Sequence, residues 1–222
     1  MISRFYYKGT NLKKLVLLLL LTFIFTDVAL AKGYSKRHLQ QIYKKVAKKS
    51  NINKRALSKA FSYYIKNKRK KGLSSKYLAI ADYTKTARHK RLYIIDLKNG
   101  KIYRHKIAHG KRSGAIGGKV KRSSNRRGSY MTPYGFFKIG SHVGKTKKKH
   151  YCYLTVKGLQ KSNRKVGYPL RKGGRDVIIH PASYVNRGGR SHGCFAIQPK
   201  GMWGVFKRLK NTLFYSYTGR RA

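Results

Sequence analysis

The chain has 222 residues, a length that accommodates one domain or a domain with a small appendage around a single core. Its charge is extreme, because 55 lysines and arginines stand against 4 acidic residues, which gives a formal net charge of +51. This imbalance does not specify a fold, but it predicts attraction to polyanions such as nucleic acid, phosphorylated lipid or anionic cell-wall polymer.

The N-terminal residues have the pattern of a secretory signal peptide. Basic residues precede an apolar run from Leu15 to Phe25, and Ala29-Leu30-Ala31 follows as a cleavage site of small residues. The apolar run is too short to span about 30 Å of hydrocarbon as a helix, although an uncleaved membrane anchor is the alternative. We therefore predict that residues 1–31 are a signal peptide and that the protein is exported to the periplasm or cell envelope. Export favours anionic envelope polymers over nucleic acid as partners.

Residues 32–75 are predicted to form an N-terminal helical segment. Tyr34-Ser35 can cap a first helix that runs to about Lys48, and its apolar residues recur at helical spacing. The residues around Asn53 begin a second helix, which Gly72 ends. Two amphipathic helices of this kind predict a hairpin that packs against the following domain as a scaffold, rather than a separate binding module.

The pattern then changes to that of β-strands. Lys98-Asn99-Gly100 separates two strand-like runs, and Asn-Gly is a strong hairpin signal. Residues 111–131 have no apolar periodicity and are predicted to be a loop, with a mobile lid as the alternative. A helix opened by Pro199 and a strand over Leu213 to Tyr217 follow. We predict that residues 76–222 form one mainly β domain with a few helices.

The residues that indicate chemistry lie near the end of this domain. The β-branched run from Val177 predicts a short buried strand over Asp176 to Ile179, with His180 at its end. A loop connects it to Arg190-Ser191-His192-Gly193-Cys194. A thiol needs a nearby base to become a useful nucleophile. We therefore predict that Cys194 is a catalytic nucleophile and that His180 is its general base.

The neighbours of Cys194 are predicted to complete the site. Cations lower the pKa of a thiol, and Arg187, Arg190 and His192 lie close to Cys194 in the sequence. Gly193 lets the backbone amides of the turn approach a substrate oxygen and stabilise the oxyanion of a tetrahedral intermediate. The predicted oxyanion and substrate-lining residues are His192, Gly193, Ser191 and Arg190, of which Ser191 also holds the turn.

No carboxylate is placed to orient His180. Asp176 lies on the same predicted strand, about 13 Å away at about 3.3 Å per residue. Asp82 and Asp96 belong to different strands. A backbone carbonyl is therefore a more economical partner for the imidazole than a carboxylate.

The cysteines have two alternative roles. A disulfide between Cys152 and Cys194 would remove the nucleophile, so we favour a free Cys194 and a core position for Cys152. His180, His192 and Cys194 can in principle bind Zn²⁺ with one open coordination position. Because no carboxylate is placed as a base or supporting ligand, we predict neither a metal site nor a cofactor.

These motifs carry a resemblance to a known family. Ser191-His192-Gly193-Cys194, after a strand-end histidine, resembles the active-site signature of the L,D-transpeptidase (YkuD-like) catalytic domain. The likeness extends to Ala108-His109-Gly110 and to Thr132-Pro133-Tyr134-Gly135-Phe136, and it covers roughly residues 77–217. Phe195-Ala196 stands where many members have an apolar residue and an arginine, which is typical of a divergent murein L,D-transpeptidase subfamily.

The resemblance implies a fold and an activity. The fold is mainly β with α, an L,D-transpeptidase-type β-sandwich preceded by the helical hairpin. The carbonyl of Pro181 would orient His180, and Cys194 would form a thioester with a peptidoglycan stem peptide that an amine resolves into a cross-link. Water in place of the amine would make the protein an L,D-carboxypeptidase. The alternative from another class is a monomeric, cationic envelope-binding protein without catalysis; a monomer is expected in either case.

Overall fold

The computed structural model describes residues 33–145 and 152–219. The chain divides into two units, Met1–Ser35 and Lys36–Ala222, and all elements named below belong to the second. The predicted signal peptide lies outside the described residues. Within the described ranges, no helix is both long and apolar enough to cross a membrane.

Two helices form the predicted N-terminal hairpin. Helix α1 spans Lys36–Lys49 and helix α2 spans Lys54–Asn67. Asn53 caps α2, because its side-chain oxygen accepts hydrogen bonds from the amides of Arg55 at 3.0 Å and Ala56 at 3.3 Å. Each helix buries one apolar face, formed by Leu39, Ile42 and Val46 in α1 and by Ala56, Leu57, Ala60, Phe61 and Tyr64 in α2.

The hairpin is fixed to the strands by two kinds of contact. The Tyr63 ring of α2 stacks on the ring of Phe136, with 3.9 Å between centroids. The Asn53 amide donates a 2.9 Å hydrogen bond to the carboxylate of Asp82. The helices therefore pack against the sheet, as the amphipathic pattern predicted. The predicted domain boundary at residues 75–76 stays a prediction.

Eight strands form one mixed sheet, and two short strands form a second. The strands are β1 (Tyr77–Asp82), β2 (Leu92–Asp96), β3 (Ile102–His105), β4 (His109–Gly110), β5 (Gly135–Lys145), β6 (Cys152–Gly158), β7 (Ile178–Pro181), β8 (Arg190–Ser191), β9 (Phe195–Ile197) and β10 (Leu213–Tyr217). The order in the large sheet is β3-β2-β1-β10-β5-β6-β7-β9, and β4 pairs with β8. Shorter elements are α3 (Met202–Leu209) and 3₁₀ helices at Lys161–Asn163, Leu170–Lys172 and Ser183–Arg187.

The large sheet curls back on itself. Strand β9 is four positions from β10, which in a flat sheet would separate them by about 19 Å. Yet the rings of Phe195 on β9 and Phe214 on β10 have centroids only 4.8 Å apart. Ile107, just after β3, also bridges to Ile197 at the free edge of β9. The sheet thus encloses its own core, and the predicted mainly β fold with an N-terminal helical hairpin is confirmed.

The strand that carries His180 differs from its prediction. It spans Ile178–Pro181 rather than Asp176–Ile179. Because β6 pairs with Ile178 and Ile179, and β9 pairs with residues as far as Pro181, the ladder is shifted toward the C-terminus. His180 therefore lies within the strand instead of at its end, and the exposed Asp176 lies before it.

A buried arginine–histidine pair lies beneath the loop that follows β4. Arg91 and His109 are both fully buried, and an Arg91 guanidinium nitrogen is 2.9 Å from Nδ1 of His109. The same guanidinium donates to the carbonyl oxygens of Ile107 at 3.0 Å and Lys85 at 2.8 Å. Its cationic centre also lies 4.7 Å from the centre of the Tyr83 ring. Arg91 thus connects the end of β1, the segment after β3 and β4.

This pair determines the protonation state of His109. A guanidinium has no acceptor, so Nδ1 of His109 must accept the hydrogen bond and the ring is neutral with its proton on Nε2. Burial, and then the positive charge of Arg91, lower the pKa of His109 to about 4. Burial likewise lowers the pKa of Arg91 to about 10.

We predict that His109 makes folding sensitive to mild acid. Between the ordinary histidine pKa of about 6.5 and the folded value of about 4, only the unfolded chain binds the proton. Stability from His109 is therefore complete above about pH 6.5 and falls by roughly 3 kcal/mol as the pH drops to about 4. In His109→Asn, an amide oxygen can still accept from Arg91, and this part of the pH dependence should disappear. Urea unfolding at pH 7, 5.5 and 4.5 tests this; equal pH dependence in both proteins would contradict it.

Candidate active site

The turn that carries Cys194 is held by Ser191. Cys194 directly precedes β9, and Ser191 is the last residue of β8. The buried Ser191 hydroxyl donates to the Cys194 carbonyl at 2.7 Å and accepts from the Gly193 amide at 3.0 Å. The Ser191 hydroxyl therefore hydrogen-bonds to two backbone groups of the turn, in agreement with the expectation that Ser191 holds it.

Gly193 is required at its position for two reasons. Its φ is +117°, a conformation that residues with side chains rarely adopt. A Cβ there would also lie 2.7 Å from a guanidinium nitrogen of Arg175 and 3.1 Å from the Met131 carbonyl oxygen. Because the Gly193 amide already donates to Ser191, it does not serve as the predicted oxyanion donor in this conformation. The amides of His192 and Cys194 stay predicted donors.

His180 lies on the strand next to Cys194. Strands β7 and β9 are parallel, and His180 pairs with Ala196, two residues after Cys194. This register places the Cα atoms of His180 and Cys194 about 8 Å apart on the same side of the pair. The Nδ1 atom of His180 is 3.0 Å from the Pro181 carbonyl oxygen. A carbonyl only accepts, so Nδ1 carries the proton and Nε2 holds the lone pair.

Cys194 borders a cavity of about 310 Å³. His192 and Gly193 line this cavity, whereas Ser191 is buried and the Arg190 side chain is directed elsewhere. The Arg190 guanidinium donates to the carbonyl oxygens of Lys111 at 3.1 Å and Gly114 at 3.2 Å. The complete lining is Arg127, Gly128, Tyr130, Leu170, Arg175, Asp176, Val177, His192, Gly193 and Cys194. We refer to this cavity as the thiol cleft.

One wall of the thiol cleft comes from the loop predicted at residues 111–131. The Tyr130 ring packs edge-on against His192, with 5.6 Å between centroids. Lys111 places its ammonium 4.5 Å from the centre of the same ring. Sequence reasoning missed this wall because the loop has no periodicity that points its residues at the site. The one local signal is Tyr130, an aromatic residue in an otherwise basic and polar stretch.

Arg175, which precedes strand β7, connects this strand to the loop at residues 111–131. The side chain is 6% exposed, and its guanidinium donates to the carbonyl oxygens of Ser124 and Met131. Burial lowers the pKa of Arg175 to about 10, while the thiol of Cys194 opposes that shift. Among the described residues, Arg175 is therefore a cation whose charge acts on the Cys194 thiol.

The thiol environment corrects one expectation from the sequence. Burial raises the pKa of Cys194 above its ordinary value, so the prediction that neighbouring cations lower it overall is wrong. The amide of Ile178 and the charge of Arg175 favour the thiolate, whereas the charge of Asp176 opposes it. The predicted sources, Arg187, Arg190 and His192, are not the ones that act. Proximity along the chain did not identify the cation that folding brings to the sulfur.

Both alternative roles of the cysteines can be compared with the fold. Cys152 and Cys194 are free, so the alternative disulfide is absent from this structure. Cys152 begins β6 and packs, partly buried, against the main core. Within the described residues, no group of three or more histidine, cysteine, aspartate or glutamate side chains is placed to hold a metal ion.

Comparisons with known proteins bear on the family and the fold. A family model described as the YkuD_2 L,D-transpeptidase catalytic domain matches residues 48–217. Solved structures of the helical cell shape determining protein Pgp2 from Campylobacter jejuni, and of a single-residue mutant of it, share 18% identity with TM-scores of 0.41. Each similarity covers 66% of this chain and 49% of the other, so this chain spans about half the length of that protein. A comparison with curated proteins gives no significant match.

Replacing Asp176 with asparagine should lower the pKa of Cys194. The carboxylate disfavours the thiolate, and the amide keeps its size without its charge. We expect the pH profile of iodoacetamide alkylation at Cys194, followed by peptide mass spectrometry, to shift toward lower pH. Alkylation of Cys152 in the same samples is the internal control. An unchanged Cys194 profile would show that Asp176 does not act on the sulfur.

Replacing Arg175 with glutamine should have the opposite effect. Loss of the guanidinium charge removes a group that favours the thiolate, so the pKa of Cys194 should rise and its alkylation profile should shift toward higher pH. Arg175→Lys is the matched control, because it keeps the charge but lacks the planar fork that reaches two carbonyls. Both variants should lose about 1–3 kcal/mol of stability from unpaired carbonyls. Identical alkylation profiles of Cys194 in Arg175→Gln and Arg175→Lys would contradict the electrostatic explanation.

Proposed function

This chain belongs to the L,D-transpeptidase catalytic domain family, and from that premise we propose that it is an exported cysteine L,D-transpeptidase. Its family acts on peptidoglycan, so the proposed substrates are peptidoglycan stem peptides. Cys194 is the proposed nucleophile and His180 the proposed general base. The Pro181 carbonyl is the proposed group that orients the base.

One observation carries this proposal. A histidine whose Nδ1 is bound to the Pro181 carbonyl at 3.0 Å stands on the strand beside a partly buried cysteine that borders a cleft. The Pro181 carbonyl holds the proton of His180 on Nδ1 and leaves the lone pair on Nε2. This is the tautomer that a general base needs. If His180 and Cys194 served only to pack the core, the fold would not need to fix the histidine tautomer, align the two residues on neighbouring strands and place the cysteine at a cleft.

The raised pKa of the thiol defines the first chemical step. Because burial raises the pKa of the Cys194 thiol, the proposed mechanism does not use a preformed thiolate. His180 Nε2 takes the proton as the sulfur attacks the carbonyl carbon between the L-centre and the following D-residue. The amides of His192 and Cys194 are the proposed donors to the resulting oxyanion.

The second half of the reaction returns the proton. As the tetrahedral intermediate collapses, the carbon–nitrogen bond breaks and the imidazolium gives its proton to the leaving amine of the D-residue. The acyl group remains on Cys194 as a thioester. An acceptor amine then attacks the thioester, its proton passes to His180, and the thiol is released as the new amide forms.

The acceptor separates the main proposal from its alternatives. If water attacks the thioester in place of an amine, the same residues make an L,D-carboxypeptidase. The third candidate is a monomeric cationic protein that binds the envelope without catalysis. The arrangement of His180 and Cys194 favours an enzyme over that candidate, since polymer binding requires neither residue.

The decisive experiment incubates purified stem tetrapeptide with the mature protein and identifies the products by mass spectrometry. We expect a cross-linked dimer with loss of one D-residue, and no product with Cys194→Ala. Cys152→Ala is the matched control, because it removes the other cysteine and should retain activity. His180→Asn, which keeps a hydrogen-bonding group without the base, should lower the rate by about 10²- to 10⁴-fold.

Each other product would change the conclusion. Tripeptide without dimer would assign an L,D-carboxypeptidase with the same nucleophile. No reaction with the folded protein, when the wild-type thiol is alkylated normally, would exclude catalysis on this substrate and favour the cationic envelope-binding protein.

A further inference from the structure

A second cavity, of about 700 Å³, lies on the outer face of strands β5 and β6. It shares no lining residue with the thiol cleft. Six basic side chains line it: Lys70, Lys71, Lys138, Lys157, Lys161 and Arg164. We refer to this cavity as the basic groove.

The floor of the basic groove contains two lysines that face each other. Lys138 on β5 pairs directly with Lys157 on β6, so both side chains stand on the same face of the sheet. Among their neighbours along the strands, the side chains of Phe137, Ile139 and Val156 are buried in the main core. Like charges directly opposite across two strands destabilise the pair. An anion between them would remove that cost.

The protein supplies no such anion within the described residues. Their three acidic residues are all engaged elsewhere: Asp82 accepts from the Asn53 amide, Asp96 accepts from the Lys98 amide, and Asp176 lines the thiol cleft. No acidic side chain is among the described residues that line the basic groove. Its charge is therefore available to a ligand.

The general basicity of the chain does not by itself produce such a groove. A third cavity, of about 350 Å³, lies between α1 and α2, and of its eight lining residues only Lys36 and Lys66 are basic. That cavity is otherwise lined by aromatic, aliphatic and neutral polar residues. Cations are therefore concentrated in the groove on β5 and β6 rather than spread evenly over every concave surface.

The shape and lining indicate the kind of anion. Five of the six cations are lysines, which bind phosphate as point charges, and Arg164 adds a planar fork that binds phosphate or carboxylate. The volume exceeds that of a single phosphate. Grooves that bind single-stranded nucleic acid place aromatic side chains beneath the bases, and none of the described residues that line this groove is aromatic. The lining therefore suits a phosphate chain that has no bases.

We propose that the basic groove binds a phosphodiester polymer without bases, of the kind in which sugars or polyols are joined by phosphate. Lys138 and Lys157 bind one phosphate between them, and the surrounding cations contact phosphates further along the chain. Gly140 belongs to the bulge of β5, and a Cβ there would collide with the Thr155 hydroxyl at 2.1 Å. The bulge thus brings backbone to the groove floor in place of a side chain.

The test measures binding of the mature protein to poly(glycerol phosphate) by fluorescence anisotropy at several salt concentrations. The groove variant is Lys138→Gln, Lys157→Gln and Lys161→Gln. The matched control is Lys44→Gln, Lys48→Gln and Lys49→Gln, which removes the same charge from the exposed face of α1. Alkylation of Cys194 at the wild-type rate verifies that each variant is folded.

We expect the groove variant to bind about tenfold more weakly or worse, and the control variant to bind nearly as wild type. The slope of log affinity against log salt should fall by about 1.4 in the groove variant, since contacts to two phosphates are lost, one held by Lys138 and Lys157 together and one by Lys161. Equal losses in both triple variants would overturn the proposal, because they would indicate charge without a site. Equal or tighter binding of poly-L-glutamate would overturn the phosphate assignment, and tighter binding of single-stranded DNA with the same number of phosphates would assign a nucleic acid instead.

Discussion

Burial of the Phe195 ring fixes the position of the cysteine that precedes it. The ring is fully buried between Phe137 and Phe214, with centroid distances of 5.5 Å and 4.8 Å. In a flat sheet, the strands of these partners would lie far from β9. The curl of the sheet that buries Phe195 therefore also fixes the position of Cys194. Cys194 directly precedes β9 and borders the thiol cleft, whereas Phe195 belongs to the main core.

The sequence predicted the parts of this arrangement that depend on local pattern. Helical spacing and the cap at Asn53 predicted the hairpin, and the Asn99-Gly100 turn predicted the pairing of β2 with β3. Ser191 and Gly193 indicated a tight turn, because glycine allows a sharp backbone bend and serine can hydrogen-bond to the local backbone. Pairing partners set the limits of β7, which is why its start was misplaced by two residues: β6 and β9 are distant in sequence.

What the sequence did not reveal depends on burial and on contacts between distant segments. Arg91 reads as one more cation in a basic chain, yet it is fully buried and determines the tautomer of His109. Arg175 and Asp176 are adjacent in sequence but act on the Cys194 thiol with opposite sign. No count of neighbouring charges can show that burial outweighs them, because burial depends on the completed fold.

Strand β6 connects the two surfaces for which functions are proposed. Its outward residue Lys157 lies in the basic groove, and two residues earlier Thr155 pairs with Ile178 of β7, the strand that carries His180. Neighbouring strands are about 4.8 Å apart, so the basic groove and His180 are supported by adjoining strands of one sheet. A polymer bound at the proposed groove would therefore be held by the same sheet that positions His180. The proposed envelope binding and the proposed chemistry thereby share one structural support in strand β6.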